Sequence, residues 1–445
     1  MSHSRHYTRV ILSSLALSLL VSCQAASKEQ AKPIPQEKVV SDKWPAQAGP
    51  HSMTLTMPPG KTGFYSAPQN AGKSFDFMKD FGAIADGASD DSARLQKALN
   101  KLSKAGGGSI FIPKAEYVFS GIKIKSNTHI EIEAGTIIRP VKSFSKGGKN
   151  KKEAKLSSIT IFDFGKRSGK IENVSIVGKG GVFVVELHAY APGIAVFSLG
   201  NVDNFQISNV HVKDALTKFS AITMGPSAKK DSARGFPING YVSDFTQTGA
   251  AYGYGIVQTQ AAQNVFFENL HGVGGAVLRM ETGAKGVNDD QFGGLANVIG
   301  RNISCKDGNA AFMISPHAMH NGVVAVEGVK SEGCGFAVRI GNGYVAKKYS
   351  NPNLEAGTFA QGTRVSNIHA KFGENAQLKR KHFKYMPESL LSKISNESED
   401  GSSHRGPSIA PVLNIANFPI GVLNVTSEGF SGTPDIALTP SPRIK

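Results

Sequence analysis

The chain has 445 residues, 40% hydrophobic and 19% charged. That is enough apolar content for a large core and too little charge for a disordered or coiled-coil protein. A formal charge of +16 favours an anionic partner, whether nucleic acid, an acidic membrane surface or an acidic polysaccharide.

The N-terminus chooses among these. Arg5 and Arg9 precede an apolar stretch from Val10 to Val21, too short for a membrane span, which needs ~20 residues. It ends in Leu20-Val21-Ser22-Cys23, a sequence that resembles a bacterial lipobox with cleavage after the small Ser22. The resemblance implies a signal peptide over residues 1–22 and a lipid anchor on Cys23. Gln24 in place of an acidic residue implies the outer membrane or cell surface. Export excludes an intracellular nucleic acid and favours an acidic extracellular polymer. Residues 23–70 are rich in Ser, Lys, Gln, Ala and Pro and predict a tether, with Trp44 suited to docking on the folded body. Residues 71–445 then form a single domain.

At Phe75 the pattern changes. Phe75–Gly82 predicts a strand, and Ala85-Asp86-Gly87-Ala88 a turn. Asp90-Asp91-Ser92 opens a helix near 91–104, where an N-cap Asp satisfies free amides of the first turn. Leu95, Ala98, Leu99 and Leu102 form one apolar stripe, and Gly106-Gly107-Gly108 ends it. Strands follow at 109–113, 121–124 and 129–133. Short strands and turns behind one amphipathic helix predict an all-β solenoid. A repeated template supports it, with Asn173, Asn204, Asn264 and Asn297 each preceding an apolar alternation. They are separated by 31, 60 and 33 residues, so one coil is skipped. His320-Asn321-Gly322 follows the template loosely. The repeated Asn suits a left-handed turn position. Cys305 and Cys334, 29 residues or one coil apart, predict a disulfide between adjacent coils.

Asp80-Phe81-Gly82-Ala83 with Asp86-Gly87 and Asp90-Asp91 resembles the N-terminal cap of right-handed parallel β-helix polysaccharide-degrading enzymes. The resemblance implies one right-handed parallel β-helix of roughly ten coils, capped by the helix and carrying inserted loops. The Gly-His-Gly of polygalacturonases is absent, and Asn288-Asp289-Asp290-Gln291 reads as a solvated loop. No acidic cluster beside a basic residue suggests a calcium-dependent lyase. We therefore assign no metal ligand and require no cofactor, admitting only a structural or substrate-linked Ca²⁺ or Na⁺.

Three segments carry a sharper resemblance: Gly253-Tyr254-Gly255-Ile256-Val257-Gln258, Val277-Leu278-Arg279-Met280-Glu281-Thr282 and Ser315-Pro316-His317. They are similar to the core of the iota-carrageenase family of inverting glycoside hydrolases. Phe266–His271 and Gly335–Arg339 resemble its flanking coils. The resemblance implies endo-hydrolysis of the β-1,4 bonds of iota-carrageenan or a close sulfated galactan. Glu281 would be the general acid, Gln258 would position water, and His317 would contact the transition state or tune Glu281. Arg279, Arg339 and Tyr254 would bind substrate. Burial or crowding is expected to raise the Glu281 pKa.

One position departs from the family pattern. An Asp is expected two residues after the acid, and this chain has Gly283. Either Asp289, Asp290 or Asp307 supplies the base, or Gln258 and His317 position water unaided, or the protein binds without cutting. A non-catalytic polysaccharide-binding lipoprotein and a β-helix lyase are the alternatives to a hydrolase. Two basic runs suit a sulfated partner: Lys142, Lys146, Lys149, Lys151, Lys152 and Lys155, then Lys379, Arg380, Lys381 and Lys384. The second belongs to an insertion near 373–410 that is expected to fold over the groove. The expected state is a monomer that binds an acidic polysaccharide and no nucleic acid.

Overall fold

The computed structural model describes residues 56–68, 72–141, 144–145, 155–156, 158–187, 193–228, 234–398 and 401–437. The expected signal peptide, Cys23 and Trp44 lie outside the described residues, as do the side chains of the lysine run 142–155.

Two long parallel sheets carry the fold. The main path of the first has eleven strands, from Lys73–Asp76 through Gly108–Ile112, Thr128–Glu133 and Ile171–Lys179 to Gly421–Glu428. The second has ten strands, beginning at Ile122–Lys123 and ending at Ile436–Ala437. Five of these build the site: β1 (Val257–Thr259), β2 (Ala276–Glu281), β3 (Ala310–Ser315), β4 (Phe336–Ile340) and β5 (Ala410–Asn414). The fold is a right-handed parallel β-helix, the hand that parallel crossover connections take.

The Asn template is a column of turns. Asn173, Asn204, Asn264 and Asn297 all have φ between 50° and 58°, the left-handed region that Asn tolerates. Asn239, at φ 54°, marks the skipped coil. The side-chain amides hydrogen-bond up the stack, from Asn204 to Asn173 at 2.9 Å and from Asn297 to Asn264 at 2.7 Å. Asn321 is not part of this column. It belongs to a short strand, His320–Asn321, that pairs with Thr358–Phe359, and its side-chain Oδ1 accepts from Leu295 N–H. Inside, the alternating apolar residues stack coil on coil: Phe162 lies 5.5 Å from Phe197, which lies 6.2 Å from Phe245. All three rings are fully buried, each contributing roughly 1.5–3 kcal/mol.

The cap differs from the expectation in two places. Only Lys73–Asp76 is strand, because Asp76 caps a short helix, α1 (Phe77–Phe81), by accepting from Lys79 N–H, and Gly82 ends it at φ 62°. Asp86–Asp90 is an irregular strand enclosing the expected turn, with Asp86 accepting from Ala88 and Ser89. The main helix, α2, is Ser92–Lys104 and buries Leu95, Ala98, Leu99 and Leu102. Asp91 does not cap it with its side chain. Its carboxylate is buried and accepts from Ile84 and Ala85 N–H at 3.0 and 2.9 Å, while Asp90 accepts from Ser92 N–H. An Asp91→Ala variant leaves two backbone donors unpaired and is expected to lose about 1–3 kcal/mol, read from the denaturant midpoint.

Residues 56–68, within the expected tether, lie along the outside of the first sheet. Arg301 donates to Pro58 O, Asn204 donates to Ser66 O, and Phe64 packs on Phe266. The Cys305–Cys334 disulfide is formed between adjacent coils, both sulfurs buried.

Candidate active site

Strand register assembles the site. Gln258 pairs with Arg279, Arg279 with Met313 and Met313 with Arg339, so these four form one row across β1 to β4. Glu281 pairs with Ser315 in the next outward row, since alternate residues of a strand share a face. Gln258 stands beside Arg279 rather than beside Glu281.

Glu281 is the centre. It is 8% exposed, and each oxygen has its own guanidinium: Oε2 accepts from Arg279 Nε at 2.6 Å and Oε1 from Arg339 Nη2 at 3.1 Å. Arg279 also donates to Gly253 O at 2.8 Å. Arg339 is held by Asn309 Oδ1 at 3.1 Å, the Tyr252 hydroxyl at 3.3 Å and His382 Nε2 at 3.4 Å. Burial raises the Glu281 pKa, but Arg279 and Arg339 outweigh it and hold the carboxyl at about 2. The expectation of a raised pKa is therefore reversed in the free protein, because charge pairing outweighs desolvation.

The segment near 373–410 packs against this centre. Ala376–Leu378 and His404–Gly406 form a small antiparallel ladder, with a 3₁₀ turn at Arg380–Tyr385 and a helical turn at Glu388–Leu391. Gln377 locks it to the β-helix, accepting from Gly275 N–H at 2.6 Å and donating to Ala250 O at 3.0 Å. The 3₁₀ turn supplies His382, buried and held neutral first by desolvation and then by Arg339. It also supplies Lys381, whose pKa falls to about 8 through desolvation and the charge of Arg339. Lys379 lies 4.6 Å from the centre of the Tyr252 ring.

His317, on the coil after Glu281, has φ 52° and its ring centre lies 4.9 Å from that of Tyr344. Its Nδ1 is 3.2 Å from the Tyr349 hydroxyl. Its pKa is lowered by burial, against the opposing charge of Glu281. The three candidate bases go elsewhere. Asp289 pairs with Lys285 and accepts from Ser350 N–H, Asp290 pairs with Arg234 at 2.9 Å, and Asp307 sits in the turn after Lys306, facing Gly333. Tyr254 enters through its backbone, its carbonyl accepting from Ala276 N–H at 2.6 Å. The aromatic hydroxyl at the centre is that of Tyr252, one residue before the Gly253-Tyr254-Gly255 motif. Asn309, His382 and Tyr349 carry no sequence signal and were missed, whereas Lys381 belongs to the second basic run. Among the described residues no cluster of three or more His, Cys, Asp or Glu is placed to hold a metal ion.

The iota-carrageenase of Zobellia galactanivorans is 31% identical to this chain over 432 residues, covering 82% of this chain and 85% of that protein. This chain belongs to the iota-carrageenase family. The iota-carrageenase of Alteromonas macleodii is 32% identical, over 79% of this chain and 81% of its own length. The structure of an iota-carrageenase complexed to iota-carrageenan fragments superposes with a TM-score of 0.77 at 29% identity, covering 88% of this chain and 96% of the other. The A. fortis iota-carrageenase gives the same TM-score at 30% identity and the same coverage. A family model described as rhamnogalacturonase A/epimerase, pectate lyase-like, matches residues 77–289. Membership of the iota-carrageenase family accounts for the β-helix. The arginine-caged carboxylate is read from this chain's own geometry.

Proposed function

We propose that this protein is an endo-acting, inverting hydrolase that cleaves the β-1,4 bonds of iota-carrageenan or a close sulfated galactan. One observation carries the reading beside the family relationship: a single buried carboxylate, Glu281, stands among Arg279, Arg339 and Lys381. Cations around one carboxylate suit an anionic polymer cut at a fixed bond.

Glu281 donates the proton to the leaving glycosidic oxygen, and Gln258 and Arg279 engage water and a substrate sulfate. Sulfate also answers the low pKa. A negative charge about 5 Å from Glu281 interacts at ~3 kcal/mol for an effective dielectric near 20, easing protonation by roughly two orders of magnitude. A sulfate drawn to Arg279 weakens the hold of that guanidinium at the same time. Both effects move Glu281 toward the proton-donor state only when sulfated substrate is bound. The N-terminal sequence supports the further proposal that the enzyme is an exported lipoprotein of the outer membrane or cell surface, with residues 71–445 as its catalytic domain.

The depressed pKa and Gly283 favour one second reading, a carbohydrate-binding protein without catalysis. Incubation with iota-carrageenan decides. The expected result is new reducing ends, an inverted anomeric configuration in the first product, and no ultraviolet-absorbing unsaturated sugar. Binding without product establishes the second reading, and unsaturated product a lyase.

A further inference from the structure

We propose that the imidazole of His317 is the base that activates the hydrolytic water, occupying the space that a side chain at position 283 would otherwise fill. The proposal rests on the hydrolase reading above.

The geometry at Gly283 carries it. A Cβ placed on Gly283 would meet His317 Nε2 at 2.5 Å, Cε1 at 2.6 Å and Cδ2 at 2.8 Å. These three atoms are nearly equidistant from that point, so the imidazole lays the face of its Nε2 end over the place where a side chain would begin. Position 283 is two residues beyond Glu281, about 6–7 Å along an extended chain. Inverting hydrolases hold acid and base about 6.5–9.5 Å apart, leaving room for a water. The glycine thus removes one base and admits another from the next coil.

The backbone of His317 is held for this. A φ of 52° places His317 in the left-handed region, which few residues other than glycine adopt and which histidine tolerates better than most. Its carbonyl accepts from both Tyr344 N–H and Gly357 N–H at 2.8 Å, which fixes the ring above Gly283. The tautomer follows from Tyr349. Burial pushes that phenol up to about 12, so it keeps its proton. Its hydroxyl lies 3.4 Å from Gly283 O, which also accepts from Lys348 Nζ at 2.7 Å. A phenol that donates to Gly283 O accepts from Nδ1–H of His317, leaving the Nε2 lone pair free as a proton acceptor.

The surroundings keep the ring neutral. Desolvation is the largest influence, and Lys348, Arg279 and Lys381 add to it; only Glu281 opposes. In the reaction, the water oxygen bonds to the anomeric carbon as the bond from that carbon to the glycosidic oxygen breaks. The water proton passes to His317 Nε2, and the Glu281 proton passes to the leaving oxygen. The imidazolium then releases its proton to solvent, and the ionised Glu281 takes one up when the next sulfated substrate binds.

The test uses His317→Gln, His317→Gly, Gly283→Asp and the double variant Gly283→Asp/His317→Gly in the full chain. Each is checked by melting and by calorimetric binding of sulfated oligosaccharides. His317→Gly keeps a backbone that tolerates positive φ. Both single His317 variants are expected to lose at least ~10³-fold in kcat with binding retained. Added imidazole should restore His317→Gly at least ~10-fold, and so should the double variant, because the new carboxylate then has room. Gly283→Asp alone should be inactive. The acid limb of the kcat/KM profile should move to lower pH in the double variant, as a carboxylate replaces an imidazole. A folded His317→Gln that keeps wild-type kcat overturns the proposal. So does a folded His317→Gly restored neither by imidazole nor by Gly283→Asp. Absence of product from the wild type overturns the hydrolase reading itself, and the base with it.

Discussion

Replacement of Glu281 by Gln is expected to lower kcat on iota-carrageenan by at least ~10³-fold, with KM changed far less. Loss of a positioned general acid costs about 10²–10⁴ in rate, and the described site holds no second carboxylate against Arg279 and Arg339. The amide keeps the shape and still accepts from one guanidinium, so the fold should survive. Oligosaccharide affinity should rise modestly, because Arg279 is released from a charged partner at 2.6 Å and becomes available to sulfate. A carboxylate that only braced the arginines predicts that kcat is kept, whereas some stability is lost on either reading because Arg279 and Arg339 lose their charged partner. Initial rates, calorimetric binding and a melting curve on the same preparation separate the two.

Arg339→Met should produce the largest loss of stability. The guanidinium is almost entirely enclosed and serves Glu281, Asn309, Tyr252 and His382 together. Breaking one side of a buried charge pair costs about 3–5 kcal/mol, since the partner is left uncompensated. Arg339→Lys should recover little, because an ammonium cannot reproduce the planar fork across four partners. The pH dependence has a definite sign. The Glu281 carboxyl is depressed from 4.5 to about 2, so its ionised form contributes stability fully above about pH 4.5. That contribution fades as pH falls towards 2. In Arg339→Met the pKa rises and the dependence on pH in this window shrinks. Denaturant midpoints of both proteins between pH 2.5 and 7 measure the difference, on the order of 1–3 kcal/mol at the neutral end.

The low pKa of Glu281 and its proposed role as proton donor are linked by the substrate. An acid that is ionised in the free enzyme and protonated beside sulfate is silent towards neutral galactans. Discrimination by charge is then built into catalysis as well as into binding.

Local rules made the solenoid readable. Asn173, Asn204, Asn264 and Asn297 recur because each coil needs a left-handed turn at the same height, and Asn supplies it without glycine's entropy cost. The stripe of α2 was readable because Leu95, Ala98, Leu99 and Leu102 follow the helical period. The cap was misread where side chains reach beyond their own turn: Asp91 serves Ile84 and Ala85 instead of α2. The Cys305–Cys334 bridge was readable because 29 residues is one coil.

The sequence by itself determined the coil repeat, the strands that carry Gln258, Arg279 and Glu281, the Ser315-Pro316-His317 segment, and the glycine at 283. Only the tertiary structure decided what surrounds Glu281. Arg339 comes from two coils later, and His382 from a segment locked on through Gln377. Neither contact has a local signature, because coil lengths vary and register is set by the loops between strands. The sign of the Glu281 pKa shift depended on those contacts, since burial alone pushes it up and two guanidiniums pull it down. The meaning of Gly283 was hidden for the same reason: a missing side chain shows in one dimension, and the imidazole that fills its place shows only in three.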